Sequence, residues 1–322
     1  EHVTDRSPGR LTLALPTSSD DDPMIEERER LTALSTIEPL RLLARAEVAH
    51  PHLPLEVGAF AFDYLSTFES LPEVAQGANT CPDYLFYDAR IILVVDHPTR
   101  EATLVGASVD TADLERRMDA LAAAIDSIDN AADVEAPASS TDGAASPVLH
   151  AVPTTSDVDF EAVVEEMRGY IADGDVYQVV PSRGFTIACP DTLAAYHVLR
   201  HANPSPYMFY LAAPDFELFG ASPESALLHS ARTGRVAIRP IAGTRPRGLH
   251  PDGSVDHERD TRLELELRTD AKEVAEHVML VDLARNDVAR VSRPGTRSLQ
   301  DLLRVDRYSR VMHLVSEVSG EL

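Results

Sequence analysis

Three side chains that can bind a cation or move a proton share one helix-length run, Asp270 to Asp287, DAKEVAEHVMLVDLARND. At about 100° per residue, Glu273, Glu276 and His277 cluster on one face. Val274, Val278 and Val281 form a stripe on the nearly opposite face, suited to a core. Two carboxylates one turn apart can hold a hard divalent cation, above all one that also meets an anionic ligand. The same residues have a plainer reading. Asp270 and Glu273 have the D-x-x-E spacing of a helix cap, an acidic first turn suits the helix dipole, and Glu276 would then be a solvated surface residue.

Composition narrows the chemistry. The chain has 322 residues, enough for one elaborate domain or two ordinary ones, with 44% hydrophobic and 25% charged residues. Its net charge of −24 argues against nucleic acid or an anionic membrane as the main partner. It also requires that any anionic substrate meet local positive charge, from a metal ion or from arginines. Cys81 and Cys189 are far apart and each precedes a proline. Neither belongs to a zinc or disulfide pattern, and a reducing cytosol fits. No run approaches a transmembrane span and no signal peptide opens the sequence. There is no GxGxxG and no Walker loop, so nucleotide binding has no support.

The helix needs elements to position it. Residues 1–30 read as a polar lead-in, Thr36 to Glu47 as a helix, and Leu55 to Tyr64 as a buried strand with alternating aromatics. Tyr84 to Val95 contains a strand-like run, and Thr111 to Ile128 is an alanine-rich amphipathic helix. From 129 to 155 the composition shifts to Ala, Asp, Ser, Pro and Gly, which predicts a linker between residues 1–128 and a second region, 156–322. That region opens with a capped helix from Ser156 to Gly174 and a strand over Val176 to Val180. Strands follow at Tyr207–Leu211, Phe216–Phe219, Ala226–His229 and Val236–Ile238, the last two joined by a Thr233-Gly234 hairpin turn. Ser298 to Leu303 is read as helical, and Tyr308 to Val318 as a strand carrying His313. The order predicts a mixed α+β domain and not a parallel Rossmann sheet.

Several runs, in order, resemble the chorismate-utilising enzymes, and within them the anthranilate synthase component I branch. They are GDVYQVVPSR (174–183), NPSPYMFYL (203–211), LFGASPES (218–225), PIAGTRPRG (240–248), RTDAKEVAEHVMLVDLARND (268–287) and VDRYSRVMHLVS (305–316). EVGAFAFDYLSTFESLP through CPDY also resembles the family's N-terminal portion. The resemblance implies two facing, mainly antiparallel sheets flanked by helices. It implies conversion of chorismate and ammonia to anthranilate and pyruvate with magnesium, the ammonia coming from a glutamine amidotransferase partner, component II. Two positions discriminate within the family. Aminodeoxychorismate synthases are known for a nucleophilic lysine in PIKGT, where this chain has Ala242. Without that amine no covalent ring adduct can form there. Isochorismate and salicylate synthases place a water-activating lysine where this chain has Gln178, and a neutral amide cannot act as that base.

By the same resemblance, Glu276 is the leading magnesium ligand with Glu273 as companion, and Glu224 is the acid for the departing C4 hydroxyl. His313 faces substrate; without the match it reads as a core histidine beside Val311 and Val315. Gly243 and Thr244 bind substrate, while the nearby Arg245 and Arg247 are read as solvated. Pro206, Tyr207 and Met208 match one wall of a site for tryptophan, the family's feedback inhibitor. The family's Leu-Leu-Glu-Ser motif and its C-terminal glycine-rich and metal-binding motifs are not found in this sequence, so the chain is expected to be truncated at both ends, to be inactive alone and to bind tryptophan poorly. The rivals are another chorismate-converting enzyme, chiefly aminodeoxychorismate synthase, and a non-catalytic regulatory protein that keeps the fold. Intact Glu224, Glu276 and His313 argue against the latter.

Overall fold

A computed structural model describes residues 3–7, 10–13, 35–43, 50–67, 81–127 and 150–322. Most of the predicted linker and the later part of the predicted lead-in lie outside the described residues, but residues 3–7 and 10–13 of that lead-in are paired strands and not a loop. The chain divides into two compact units, Glu1–Asp133 and Val134–Leu322. Every strand pairing in both is antiparallel, and with the helices this makes the protein α+β.

In the first unit, β1 (Val3–Ser7) pairs with β2 (Arg10–Leu13), and α1 spans Glu38–Leu43. β3 (Glu56–Phe60) pairs with β4 (Tyr84–Asp88), β5 (Ile91–Asp96) with β6 (Glu101–Gly106), and α2 covers Thr111–Asp126. The expected buried strand ends early. After Phe60 the chain tightens into a 3-10 helix, Phe62–Thr67, so the aromatic alternation fails: Phe62 is exposed and Tyr64 is buried. Tyr64 packs with Phe60 and Tyr84, and the Tyr84 hydroxyl donates to the Thr36 carbonyl at 2.7 Å.

The second unit carries the residues of interest. After the short β7 (Val152–Pro153), α3 (Asp157–Asp173) starts at a Ser156 cap and stops at Gly174, φ 82°. A left-handed glycine closes a helix at little cost. Residues 176–180 are not the strand that their apolar run predicts, and they have no ladder partner among the described residues. β8 (Phe185–Thr186), α4 (Thr192–Ala202) and the hairpin of β9 (Tyr207–Ala212) and β10 (Glu217–Ser222) follow.

The centre of the unit is a five-stranded sheet built on β15 (Val311–Glu321). β12 (Arg235–Ile238) and β13 (Ile241–Pro246) pair with β15 in succession, β14 (Ser298–Arg307) pairs with it too, and β11 (Leu228–Ser230) extends β12 through the Thr233-Gly234 turn. Two helices cover one face: α5 (His257–Thr269) and α6 (Ala271–Val291), which share Asp270 as C-cap and N-cap. Strand periodicity sends Met312, Leu314, Ser316 and Val318 toward these helices. There Leu267, Val305, Met312 and Leu314 form one cluster, and Val236, Val281, Ala284, Val288 and Val318 another.

Two predicted assignments change here. Ser298 to Leu303 is strand, not helix: it pairs with β15, and the register breaks between Gln300 and Arg304. Asp301 and Leu303 take positive φ, 54° and 57°, in that bulge. The buried stripe of α6 is His277, Val281, Ala284 and Val288, whereas Val278 is exposed. His277 therefore belongs to the core face and not to the face assigned to Glu273 and Glu276. Among the described residues no helix is long and apolar enough to cross a membrane.

Candidate functional site

β13 is the spine of the site, because each of its residues from 241 to 245 meets one of the singled-out side chains or their immediate supports. Its pairing with β15 breaks between Ala242 and Thr244, and Gly243 sits in the break with φ 79°. A Cβ at Gly243 would lie 3.1 Å from Leu314 Cδ1, 3.2 Å from Leu267 Cδ1 and 3.4 Å from Glu273 Cβ. Glycine is required twice over, for the left-handed backbone and for the close approach of α6.

On the helix side stand the two glutamates. Asp270 caps α6 through the Lys272 and Glu273 amides. Glu273 is mostly buried and its Oε1 is 3.3 Å from Arg245 Nη1; Glu276 is half-buried and its Oε1 accepts from Gln178 Nε2 at 3.3 Å. Gln178 reaches α6 from the irregular 175–178 segment, which with Met279, Leu280 and Leu283 lines an apolar cleft of about 770 Å³. Lys272 Nζ lies 3.7 Å from Glu273 and 3.5 Å from Glu276, so one cation already spans both carboxylates. Two acceptor-only oxygen donors one turn apart, spanned by a positive charge, fit a magnesium ion. No group of three His, Cys, Asp or Glu suited to a metal occurs among the described residues. Further ligands to such an ion would come from water or substrate.

On the opposite face of the sheet stand Thr244 and His313, and Glu224 lies beside the Ile241 backbone of β13. Thr244 Oγ1 is 3.0 Å from His313 Nδ1, and the His313 ring meets the Tyr308 ring edge-on at 5.4 Å. Burial holds the His313 pKa below its ordinary 6.5, with a smaller opposing pull from the Gly243 backbone. Glu224 follows β10 in a loop whose Ser222 hydroxyl accepts from the Glu224 amide. Desolvation raises the Glu224 carboxyl above 4.5, against a backbone hydrogen bond from Ile241. A raised carboxyl can arrive protonated and a lowered imidazole neutral, the states an acid and a base need.

The fold thus brings the predicted residues to β13 in two groups. Gln178, Glu273 and Glu276 gather on the helix face, and Thr244 and His313 on the other, with Gly243 between and Glu224 at the Ile241 backbone. Pro206 and Tyr207 line a separate cleft of about 380 Å³ together with Pro223 and Ser225, the neighbours of Glu224, and with Arg304 and Tyr308. Met208 pairs with Ala221 and is half-buried.

Three residues escaped the sequence reading. Arg245 and Arg247 are not solvated. Arg245 pairs with Glu266, Asp270 and Glu273 at 2.8, 2.7 and 3.3 Å, and Arg247 grips Asp260 with two nitrogens at 2.8 and 3.1 Å. The third is His277, fully buried, whose Nε2 is 2.7 Å from Ser316 Oγ. Ser316 Oγ also accepts from the Leu303 amide at 3.0 Å, so it ties the β14 bulge to α6. Alternation of arginines with Thr244 and Pro246 along β13 was the available signal for the first two.

The family described as chorismate binding enzyme matches residues 14–322. The chain belongs to this family. Among its relatives, anthranilate synthase component 1 of Vibrio parahaemolyticus is 47% identical over 92% of this chain and 54% of that protein. The component 1 of Escherichia coli is 44% identical over 99% of this chain and 60% of that one. The chain therefore spans little more than half the length of the curated relatives it matches. The solved anthranilate synthase component I from Streptococcus pneumoniae superposes with a TM-score of 0.73 at 28% identity, covering 89% of this chain and 62% of that one. The menaquinone-specific isochorismate synthase of Escherichia coli, at 19% identity and a TM-score of 0.56, shares the fold.

Proposed function

We propose that the intact protein is the large subunit of anthranilate synthase, converting chorismate and ammonia to anthranilate, pyruvate and water, the committed step toward tryptophan. The observation that carries this reading is the β13 sequence in its setting: Ala242 is buried where a covalent mechanism needs an amine, while Gly243 and Thr244 stand between the two carboxylates and His313. The similarity to proteins named anthranilate synthase component 1 supports it.

Glu276, with Glu273, would hold magnesium, which supplies positive charge for the substrate carboxylate and draws electron density from the ring. Gln178 orients Glu276 through its amide. Glu224 delivers a proton to the departing C4 hydroxyl, and its desolvation keeps that proton available. His313, neutral and steadied by Thr244, serves the later loss of pyruvate. Gly243 lets the substrate approach the backbone closely. Ammonia would come from a glutamine amidotransferase, component II, in a cytoplasmic complex. Pro206, Tyr207 and Met208 form one wall of a site for tryptophan as feedback inhibitor.

Chorismate supplied with 15N-ammonium and magnesium tests the reading by product. Labelled anthranilate and pyruvate in equal amounts support it. A labelled product that retains the enolpyruvyl group assigns the protein to the aminodeoxychorismate branch instead, and no consumption of chorismate removes the enzymatic reading.

A further inference from the structure

The turn between β14 and β15, residues 308–310, is fastened by Arg247, the first residue after β13. Arg247 donates its backbone amide to the Arg310 carbonyl at 2.9 Å and its Nη1 to the Tyr308 carbonyl at 2.6 Å. One residue thus holds both ends of the turn. Its guanidinium is fixed in turn by Asp260, which is buried on α5 and also accepts the Gly248 amide at 2.8 Å. Gly248 is packed so closely on α5 that a Cβ there would lie 2.3 Å from the Asp260 amide nitrogen. Arg307, the last residue of β14, approaches the same carboxylate at 3.3 Å. A planar fork on a carboxylate leaves little freedom to either partner.

The turn begins with Tyr308, whose amide donates to the Val311 carbonyl at 2.8 Å. Its ring meets the His313 ring at 5.4 Å and 63°. The His313 imidazole therefore has two supports, the Thr244 hydroxyl on Nδ1 and the Tyr308 ring on its side. Thr244 comes from β13 directly. Tyr308 is placed by the contacts from Arg247, three residues further along the chain and just past the end of β13.

We propose that Arg247 is a positioning residue for His313, acting through the β14–β15 turn and the Tyr308 ring, with Asp260 as its anchor. The clamp makes no contact with the imidazole itself. It sets the place of the tyrosine ring, which limits the rotation of the imidazole while Thr244 holds one nitrogen. Since a displacement of about 1 Å can cost two orders of magnitude in rate, a relaxed turn would leave His313 present but misaimed.

The kinetic consequence rests on the reading of His313 as a reacting group; the positional one does not. The test uses the intact protein carrying 13C-labelled histidine, with His313→Gln assigning the resonance. Arg247→Gln should shift or broaden the His313 imidazole signal and lower kcat about 10- to 100-fold, with KM for chorismate little changed. Tyr308→Leu, which leaves the clamp intact, should do the same and carries the test if Arg247→Gln does not fold. Tyr308→Phe keeps the ring and should restore both signals. A moved resonance with unchanged turnover upholds the positioning and counts against a catalytic His313. An unmoved resonance in both Arg247→Gln and Tyr308→Leu overturns the proposal, as does a Tyr308→Phe variant as impaired as Tyr308→Leu, which would give the hydroxyl a direct role.

Discussion

Gln178 Nε2 lies 3.3 Å from Glu276 Oε1, joining an irregular segment to the second turn of α6 across 98 residues of sequence. The amide fixes one oxygen of the proposed metal ligand without adding a charge. Gln178→Leu removes that donor and should weaken magnesium binding several-fold while leaving the melting temperature close to that of the parent. Titration calorimetry with magnesium checks it, and unchanged affinity would show that Glu276 needs no such support.

Gly243 admits no side chain without strain. Gly243→Ala places a methyl against Leu314, Leu267 and Glu273 at a φ of 79°, and should destabilise the fold by about 1–3 kcal/mol. Denaturant unfolding measures this directly. A variant as stable as the parent would mean that the bulge relaxes freely.

Ser316→Ala tests the tie between α6 and the β14 bulge. It leaves His277 Nε2 and the Leu303 amide without their buried partner, a loss of about 1–3 kcal/mol. The expected sign is a lower melting temperature, with the Leu303 amide exchanging faster with solvent. No change in either would place the Leu303 amide on another acceptor.

Stability should also depend on pH through the buried imidazoles. Burial holds His277 and His313 below the ordinary 6.5. As pH falls through that value the unfolded chain takes up protons first, so the stability present above it declines until the folded-state values are reached. Thermal unfolding at pH 8 and pH 5.5 should show the drop, and His277→Gln should reduce it. An equal slope in parent and variant would count against His277 as a source.

Much of this was legible from residue types and spacing. The Asp270 cap, the length of α6 and the Thr233-Gly234 hairpin follow from local chemistry, and they stand where local chemistry puts them. The misreadings share a cause: a long-range partner overrode a local pattern. Ser298 to Leu303 reads as a helix, yet a bulged pairing with β15 holds it as strand. Val176 to Val180 have strand-like composition but form no ladder among the described residues, and Val176 to Gln178 line a cleft with α6 instead. His277 looked polar and outward, yet it lies inside the core with its Nε2 on Ser316. Arg245 and Arg247 looked like surface charges until α5 and the α6 cap supplied carboxylate partners. None of those partners is near in sequence.

Anthranilate fluorescence tests the central claim most directly. The intact protein, given chorismate, ammonium and magnesium, should generate the signal, and Glu276→Gln should generate none while keeping its fold. A silent parent, or a Glu276→Gln variant that turns over like the parent, would contradict the account.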